Sequence, residues 1–276
     1  MHISKRDGIE TWKSWLIRII AVLLSLVVCA GVIVALTGLN PIEVYKGIFD
    51  GAIGTKRRAW MTIRDTLVLL CIAVGITPAF KMRFWNIGAE GQVLIGGVTS
   101  AAMMIYLGNS LPPVVLFPLM FLGSAAAAMI WGVIPAFFKA YWNTNETLFT
   151  LMMNYVATSI VACMTNILRG KASSLGKLNM STQVGWFPQF LGQRYNINIL
   201  IVVILMFVMF FYLKYSKQGY EITVVGESEN TARYAGINVK WVTIRTMIIS
   251  GAICGLVGFL IVAGRDQTIS TTSAGG

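Results

Sequence analysis

A carboxylate, two amides and two glycines stand together at Asn86-Ile87-Gly88-Ala89-Glu90-Gly91-Gln92, between stretches that are otherwise apolar. A carboxylate such as Glu90 at the centre of a bilayer costs about 2.5–3.5 kcal/mol on insertion scales, so its presence marks a functional site by default. Asn86 and Gln92 each bring an amide that both donates and accepts. Gly88 and Gly91 let the backbone break and come close to a neighbour. The chemistry open to this group is hydrogen bonding, with donors and acceptors side by side, or holding a helix break. Asn154 is a second candidate, with Thr150 and Thr158 one turn away on either side. The competing role for Asn154 is an interhelical hydrogen bond, worth about 0.6 kcal/mol. For Glu90 it is an ion pair with Lys81 or Arg83 across the break.

Other chemistries lack their residues. Cys29, Cys71, Cys163 and Cys254 lie far apart in apolar stretches without CxxC spacing, so neither a zinc site nor a disulfide framework follows. The single histidine is His2 near the N-terminus, and the 11 acidic residues are scattered, which leaves no metal site and no clustered catalytic set. Gly51-Ala52-Ile53-Gly54-Thr55-Lys56 lacks the spacing of a phosphate-binding loop. The chain is therefore expected to be no enzyme and to hold no cofactor.

Composition defines the setting of these residues. Of 276 residues, 56% are hydrophobic and 12% charged, against about 25% charged in soluble domains. The fold class expected is all-α, a polytopic helical membrane protein, forming a single transmembrane domain over residues 1–276. The net charge of +11 is scattered over loops rather than striped along one helix, which suits lipid headgroups and sets nucleic acid aside. Apolar stretches predict seven spans, near residues 16–36, 66–80, 93–107, 113–134, 147–168, 197–213 and 241–263. The first is longer than a signal-peptide core and has no A-x-A site, so it reads as an uncleaved helix. Spans beside Asn86–Gln92 are short or broken, with Pro78 just upstream. Interrupted spans point to a midplane binding site in transporters, because unwound backbone is tolerated only where it lines a cavity or is buried in protein.

A cytoplasmic N-terminus is favoured by its basic flank, and puts the Lys81/Arg83 turn, Lys139 and the Lys214–Arg245 region on the same side. On the outside, the loop Arg169–Asn196 carries Trp186-Phe187, which reads either as a docking surface or as ordinary interfacial aromatics. On the inside, Gly226 to Ile237 reads as a short capped helix, with Ser228 as N-cap, Glu229 in the first turn and Gly236 as the stop. Such a knob between spans can be held by another protein. Gly251 and Gly255, four apart, are expected to pack closely on another helix. Asn145-Glu146-Thr147 and Asn179-Met180-Ser181 match the glycosylation pattern, and neither is assigned a sugar.

Four motifs in order carry a resemblance over nearly the whole chain. Phe84 to Gln92, Asn145 to Tyr155, Gly226 to Ile237 and Gly255-Leu256-Val257-Gly258-Phe259 resemble the permease subunits of ATP-binding-cassette importers for nucleosides and simple sugars, relatives of ribose and branched-chain amino-acid permeases. The resemblance implies a multi-pass bacterial inner-membrane protein whose solute route is lined near Asn86, Gly88, Glu90, Gly91, Gln92 and Asn154. It implies that Gly226, Glu227, Ser228, Glu229, Asn230, Ala232, Arg233 and Gly236 couple the permease to a separate ATPase subunit, which binds the ATP. It also implies a second, different permease subunit and an extracytoplasmic substrate-binding lipoprotein. Members usually continue beyond the point corresponding to Gly276 through another few spans, so the chain is expected to be truncated at the C-terminus or a fragment. A secondary transporter with a midplane site is the alternative, although no internal repeat stands out. A membrane-embedded transferase or hydrolase is disfavoured by the scattered acids.

Overall fold

The computed structural model describes residues 10–170, 175–190, 193 and 195–274. The chain divides into two compact units, residues 1–63 and 64–276.

The first unit begins with α1 (Thr11–Thr37), 27 residues long with no buried residue. At about 1.5 Å per residue it reaches roughly 40 Å, more than a hydrocarbon core requires. It stops at Gly38, whose φ of +66° is left-handed and whose N–H returns to Val34 O. Next comes α2 (Pro41–Ile53), opened by Asn40, which accepts from Ile42 N, by proline at the first position and by Glu43 in the first turn. The Tyr45 hydroxyl donates to Leu26 O at 2.7 Å and ties α2 to α1. The helix α3 (Lys56–Lys81) starts in this unit and continues through the second.

The second unit adds α4 (Ala89–Leu107), α5 (Pro113–Trp142), α6 (Glu146–Arg169), α7 (Asn196–Tyr215), α8 (Lys217–Glu227), α9 (Glu229–Tyr234) and α10 (Val239–Leu260), closed by a π-helical turn, Ile261–Arg265. The protein is all-α among the described residues, and six helices are long and apolar enough to cross a membrane: α1, α3, α5, α6, α7, and α10 with its π turn. Of the seven expected spans, α4 is the one outside that set. It has 19 residues with Glu90 and Gln92 at its start, and most of it is buried by its own chain. Between α7 and α10, α9 is the capped helix expected within Gly226 to Ile237, and α8 is a second short helix before it that was not expected.

The core is α4, α5 and α10 at backbone distance. A β-carbon added at Gly258 would collide with Gly97 N and Val93 O, and one at Gly255 with Ser124 O. One at Gly251 would lie 2.7 Å from Ala128 O, and one at Gly96 2.6 Å from Gly255 Cα. Glycine is needed at these positions because helices can then approach without side chains between them, as expected for Gly251 and Gly255. Where α10 passes into the π turn, Asn198 Nδ2 of α7 donates to Leu260 O at 3.0 Å.

Far from the α8–α9 end, the segment 175–190 folds inward. Phe187 is buried, stacks on Phe117 at 5.6 Å, meets Phe259 at 5.4 Å and donates its N–H to Ala263 O. Trp186 Nε1 donates to Leu178 O at 2.8 Å. Neither a docking surface nor interfacial aromatics describes Trp186-Phe187: Phe187 is buried on α5 and α10 with the half-buried Trp186 beside it, and the pair closes this end of the bundle. Alongside them, Arg265 pairs with Asp65 at 2.7 Å and Arg64 with Asp266 at 3.8 Å. Both glycosylation-like asparagines are occupied, Asn145 capping α6 and Asn179 Nδ2 donating to Met104 O and Val184 O.

Candidate functional site: a clamped helix break beside a capped knob

α3 ends in a tight turn. Met82 N reaches Pro78 O, and Phe84 N returns to Ala79 O at 2.9 Å. Arg83 takes a left-handed φ of +60°, uncommon for a residue with a β-carbon. Phe84 is buried and anchors the turn in the core. Asn86 then opens α4 from two residues upstream, its Oδ1 accepting from Gly88 N at 3.1 Å in an Asx turn that satisfies one free donor of the new helix.

Asn154 holds the break from α6. Its Nδ2 donates to Ile87 O and its Oδ1 accepts from Gly91 N, both at 2.8 Å. Thr150 Oγ1, one turn before, accepts from Ile87 N at 3.3 Å. The backbone groups that a continuous helix would pair internally are paired here by α6 side chains. Gly91 and Gly88 make the approach feasible, since β-carbons there would lie 2.8 Å from Asn154 Oδ1 and 3.1 Å from Thr150 Cβ. Asn86 Nδ2 meets Ser250 Oγ of α10 at 3.4 Å and Gln92 Oε1 at 3.5 Å. Gln92 is 1% exposed and sits against Gly132 of α5, where a β-carbon would come 3.0 Å from its Nε2.

Asn86, Gln92 and Asn154 are therefore buried and engaged with one another's helices. Glu90 differs. It is half-buried, and among the described residues it has no ion-pair partner; the pairing with Lys81 or Arg83 is not formed, since Lys81 Nζ reaches Leu213 O and Arg83 turns to a cavity. The depth of the group also differs from the midplane expectation. Thr150 and Asn154 follow Glu146 by four and eight residues, so they stand about 6 and 12 Å in from the end of α6, whose half-length is about 18 Å. The tight turn 82–88 returns the chain before α4 can begin elsewhere, which sets the break in the half of the bundle nearer α8 and α9.

The knob is built as its cap signals imply. Ser228 accepts from Thr231 N at 3.3 Å, with Glu229 in the first turn. At the other end Gly236 is left-handed at φ +75°, with Gly236 N reaching Arg233 O and Ile237 N reaching Ala232 O, the paired bonds of a Schellman stop. Ala232 is fully buried under the knob. Gly226 lies inside α8, where a β-carbon would collide with Lys81 O, so it seats α8 on the end of α3. Glu227, Glu229, Asn230 and Arg233 are exposed. Tyr234, absent from the expected coupling residues, is 94% exposed. It could have been found from spacing: two residues after Ala232 it falls on the opposite face of the helix. α8 is opened by Ser216, which accepts from Gly219 N, and is tied to α10 by Arg245–Glu221 at 3.0 Å, both side chains largely buried.

A multi-pass helical bundle with one clamped helix break and a capped knob at the same end has the build of a membrane transport component. The chain belongs to the family described as branched-chain amino acid transport system / permease component, which matches residues 59–275. It is 30% identical over 250 residues to the guanosine ABC transporter permease protein NupP of Bacillus subtilis, covering 88% of this chain and 70% of that one. It is 28% identical over 269 residues to the nucleoside ABC transporter permease protein NupB of Lactococcus lactis, covering 94% and 73%. The glucose ABC transporter permease protein TsgB13 of Haloferax volcanii is 24% identical over 288 residues, covering 100% and 75%. No solved structure matches the chain. Family membership makes the protein a transport component rather than an enzyme and displaces the secondary-transporter alternative.

Proposed function

We propose that this chain is the membrane-spanning permease subunit of an ATP-binding-cassette importer that carries nucleosides, with ATP hydrolysed by a separate subunit seated on α9. The observation that carries this reading is the knob itself, in a chain of this family: α9 is capped at Ser228, stopped at Gly236 and presents Tyr234 outward at the end where the clamped break begins. Nucleosides are favoured over other solutes by the guanosine and nucleoside permeases among its relatives, and simple sugars are the second reading, supported by the glucose permease. A second, homologous permease and an extracytoplasmic binding lipoprotein complete the complex. The Lys81/Arg83 turn, Lys139 and Lys240 share the knob end, which supports a cytoplasmic knob, and the basic flank of the first helix favours a cytoplasmic N-terminus.

Within the solute route the residues divide. Asn86, Gln92 and Asn154, with Gly88 and Gly91, keep the break in shape. Glu90 is half-buried and has no ion-pair partner among the described residues, and a carboxylate at such depth is stable only against water or protein. It therefore lines the route between the two permeases and accepts hydrogen bonds from solute hydroxyls or base N–H groups. A charge-assisted hydrogen bond contributes about 1.5–3 kcal/mol, so Glu90→Gln is expected to lower uptake of labelled guanosine by roughly 10- to 100-fold in proteoliposomes holding the whole complex. Uptake equal to wild type removes Glu90 from the route. Competition of the wild-type uptake by unlabelled glucose, rather than by adenosine, would move the substrate class to sugars.

A further inference from the structure

A cavity of about 520 Å³ opens between the knob and the body of the second unit, walled by the α3–α4 turn, the α5–α6 turn, α8–α9 and the start of α10. Its charges are unequally satisfied. Lys139 pairs with Glu146 at 3.0 Å and Arg233 with Glu229 at 3.5 Å. Arg83 and Lys240, both exposed, have no carboxylate partner among the described residues; Lys240 Nζ lies 4.7 Å over the Tyr141 ring. Glu227 is the acidic residue left over in the lining, so the cavity keeps one positive charge in excess. Arg83 is held toward this space by a turn anchored through Phe84 N to Ala79 O and through the buried Phe84 ring.

We infer that this cavity receives an acidic segment of the ATPase subunit, a carboxylate of which bonds Arg83 with Lys240 beside it. The inference rests on the reading that an ATPase is seated on α9, because a protein gripping α9 already stands at the mouth of the cavity, and the unpaired cations select carboxylates. An arginine fork binds a carboxylate by two parallel hydrogen bonds. The contact gives the ATPase a grip on the α3–α4 turn, whose next residues are Asn86 to Gln92. ATP-driven movement then reaches the helix break directly, in addition to the path through α8 and the Arg245–Glu221 pair.

The experiment uses the assembled complex with a photo-cross-linking residue at position 83 and, in a parallel preparation, at Asn230. The expected result is a cross-link from both positions to the ATPase, with the peptide trapped from position 83 containing Asp or Glu. Alongside it, Arg83→Gly, which suits the left-handed backbone while removing the charge, is expected to co-purify with the ATPase and to lose roughly tenfold in solute-stimulated ATP hydrolysis, with Arg83→Lys intermediate. A cross-link from Asn230 to the ATPase while position 83 reaches only lipid, the second permease or its own chain overturns this inference and leaves the knob reading standing. No cross-link from either position overturns both. Arg83→Gly with undiminished stimulated hydrolysis also overturns it.

Discussion

Asn154→Ala is expected to destabilise the purified protein by about 1–3 kcal/mol, because it strands the buried Gly91 N–H, which costs that much, and takes the donor from the part-buried Ile87 O. Ile87 O loses its donor and Gly91 N its acceptor, at bonds of 2.8 Å each. Ile87 O stands four residues before Gly91 N, but Ile87 lies outside α4, so the two groups can replace Asn154 by pairing with each other only if the turn before α4 winds into the helix. Water offers little help at a side chain only 9% exposed. Asn154→Asp keeps the acceptor and loses the donor, so it is expected to fall below wild type as well. Thermal unfolding in detergent measures both, and a midpoint unchanged in Asn154→Ala would show that α6 does not hold the break. Uptake should fall with stability, since a loosened break no longer aims Glu90.

The second large effect is expected at Gly258. A β-carbon there meets Gly97 N and Val93 O, which belong to the backbone of α4 and have no rotamer to change. Overpacking costs about 1–3 kcal/mol where side chains can yield and more where they cannot. Gly258→Val is therefore expected to prevent α10 from seating on α4 and to abolish the monodisperse peak in size-exclusion chromatography. Gly31→Ala is the control: nothing lies within 4 Å of a β-carbon there, and alanine favours a helix interior by about 1 kcal/mol over glycine. Equal behaviour of the two variants would contradict the close packing of α4 and α10.

Local signals were legible wherever one residue's own chemistry decides the outcome. Ser228 and Gly236 bound α9, and Gly251 with Gly255 marks a close helix contact, because caps, left-handed turns and missing side chains act within a few residues. The all-α membrane architecture follows from composition. What stayed hidden depends on packing. The burial of Phe187 depends on Phe117 and Phe259, which are far away in the chain. The depth of the break depends on how soon α3 turns back, and α4 escaped notice as the buried centre of the unit because its apolar residues look the same whether they face lipid or protein. The role of Asn154 was left open between solute and helix contact. Only its two partners on the broken backbone decide between them. Glu90 remained a candidate for an ion pair until the structure turned Lys81 and Arg83 elsewhere.

The central claim is that α9 is the handle by which an ATPase drives this permease, and co-purification tests it most directly. The tagged chain, co-expressed with the cognate ATP-binding-cassette ATPase and second permease, is expected to bring down the ATPase in detergent. Exposed aromatic anchors at interface centres commonly carry 2 kcal/mol or more, so Tyr234→Ala should reduce the recovered ATPase roughly tenfold or more while the permease stays folded, since nothing else in the chain rests on a side chain 94% exposed. An ATPase recovered in full from Tyr234→Ala combined with Asn230→Trp, or none recovered with the wild-type chain, would contradict the account.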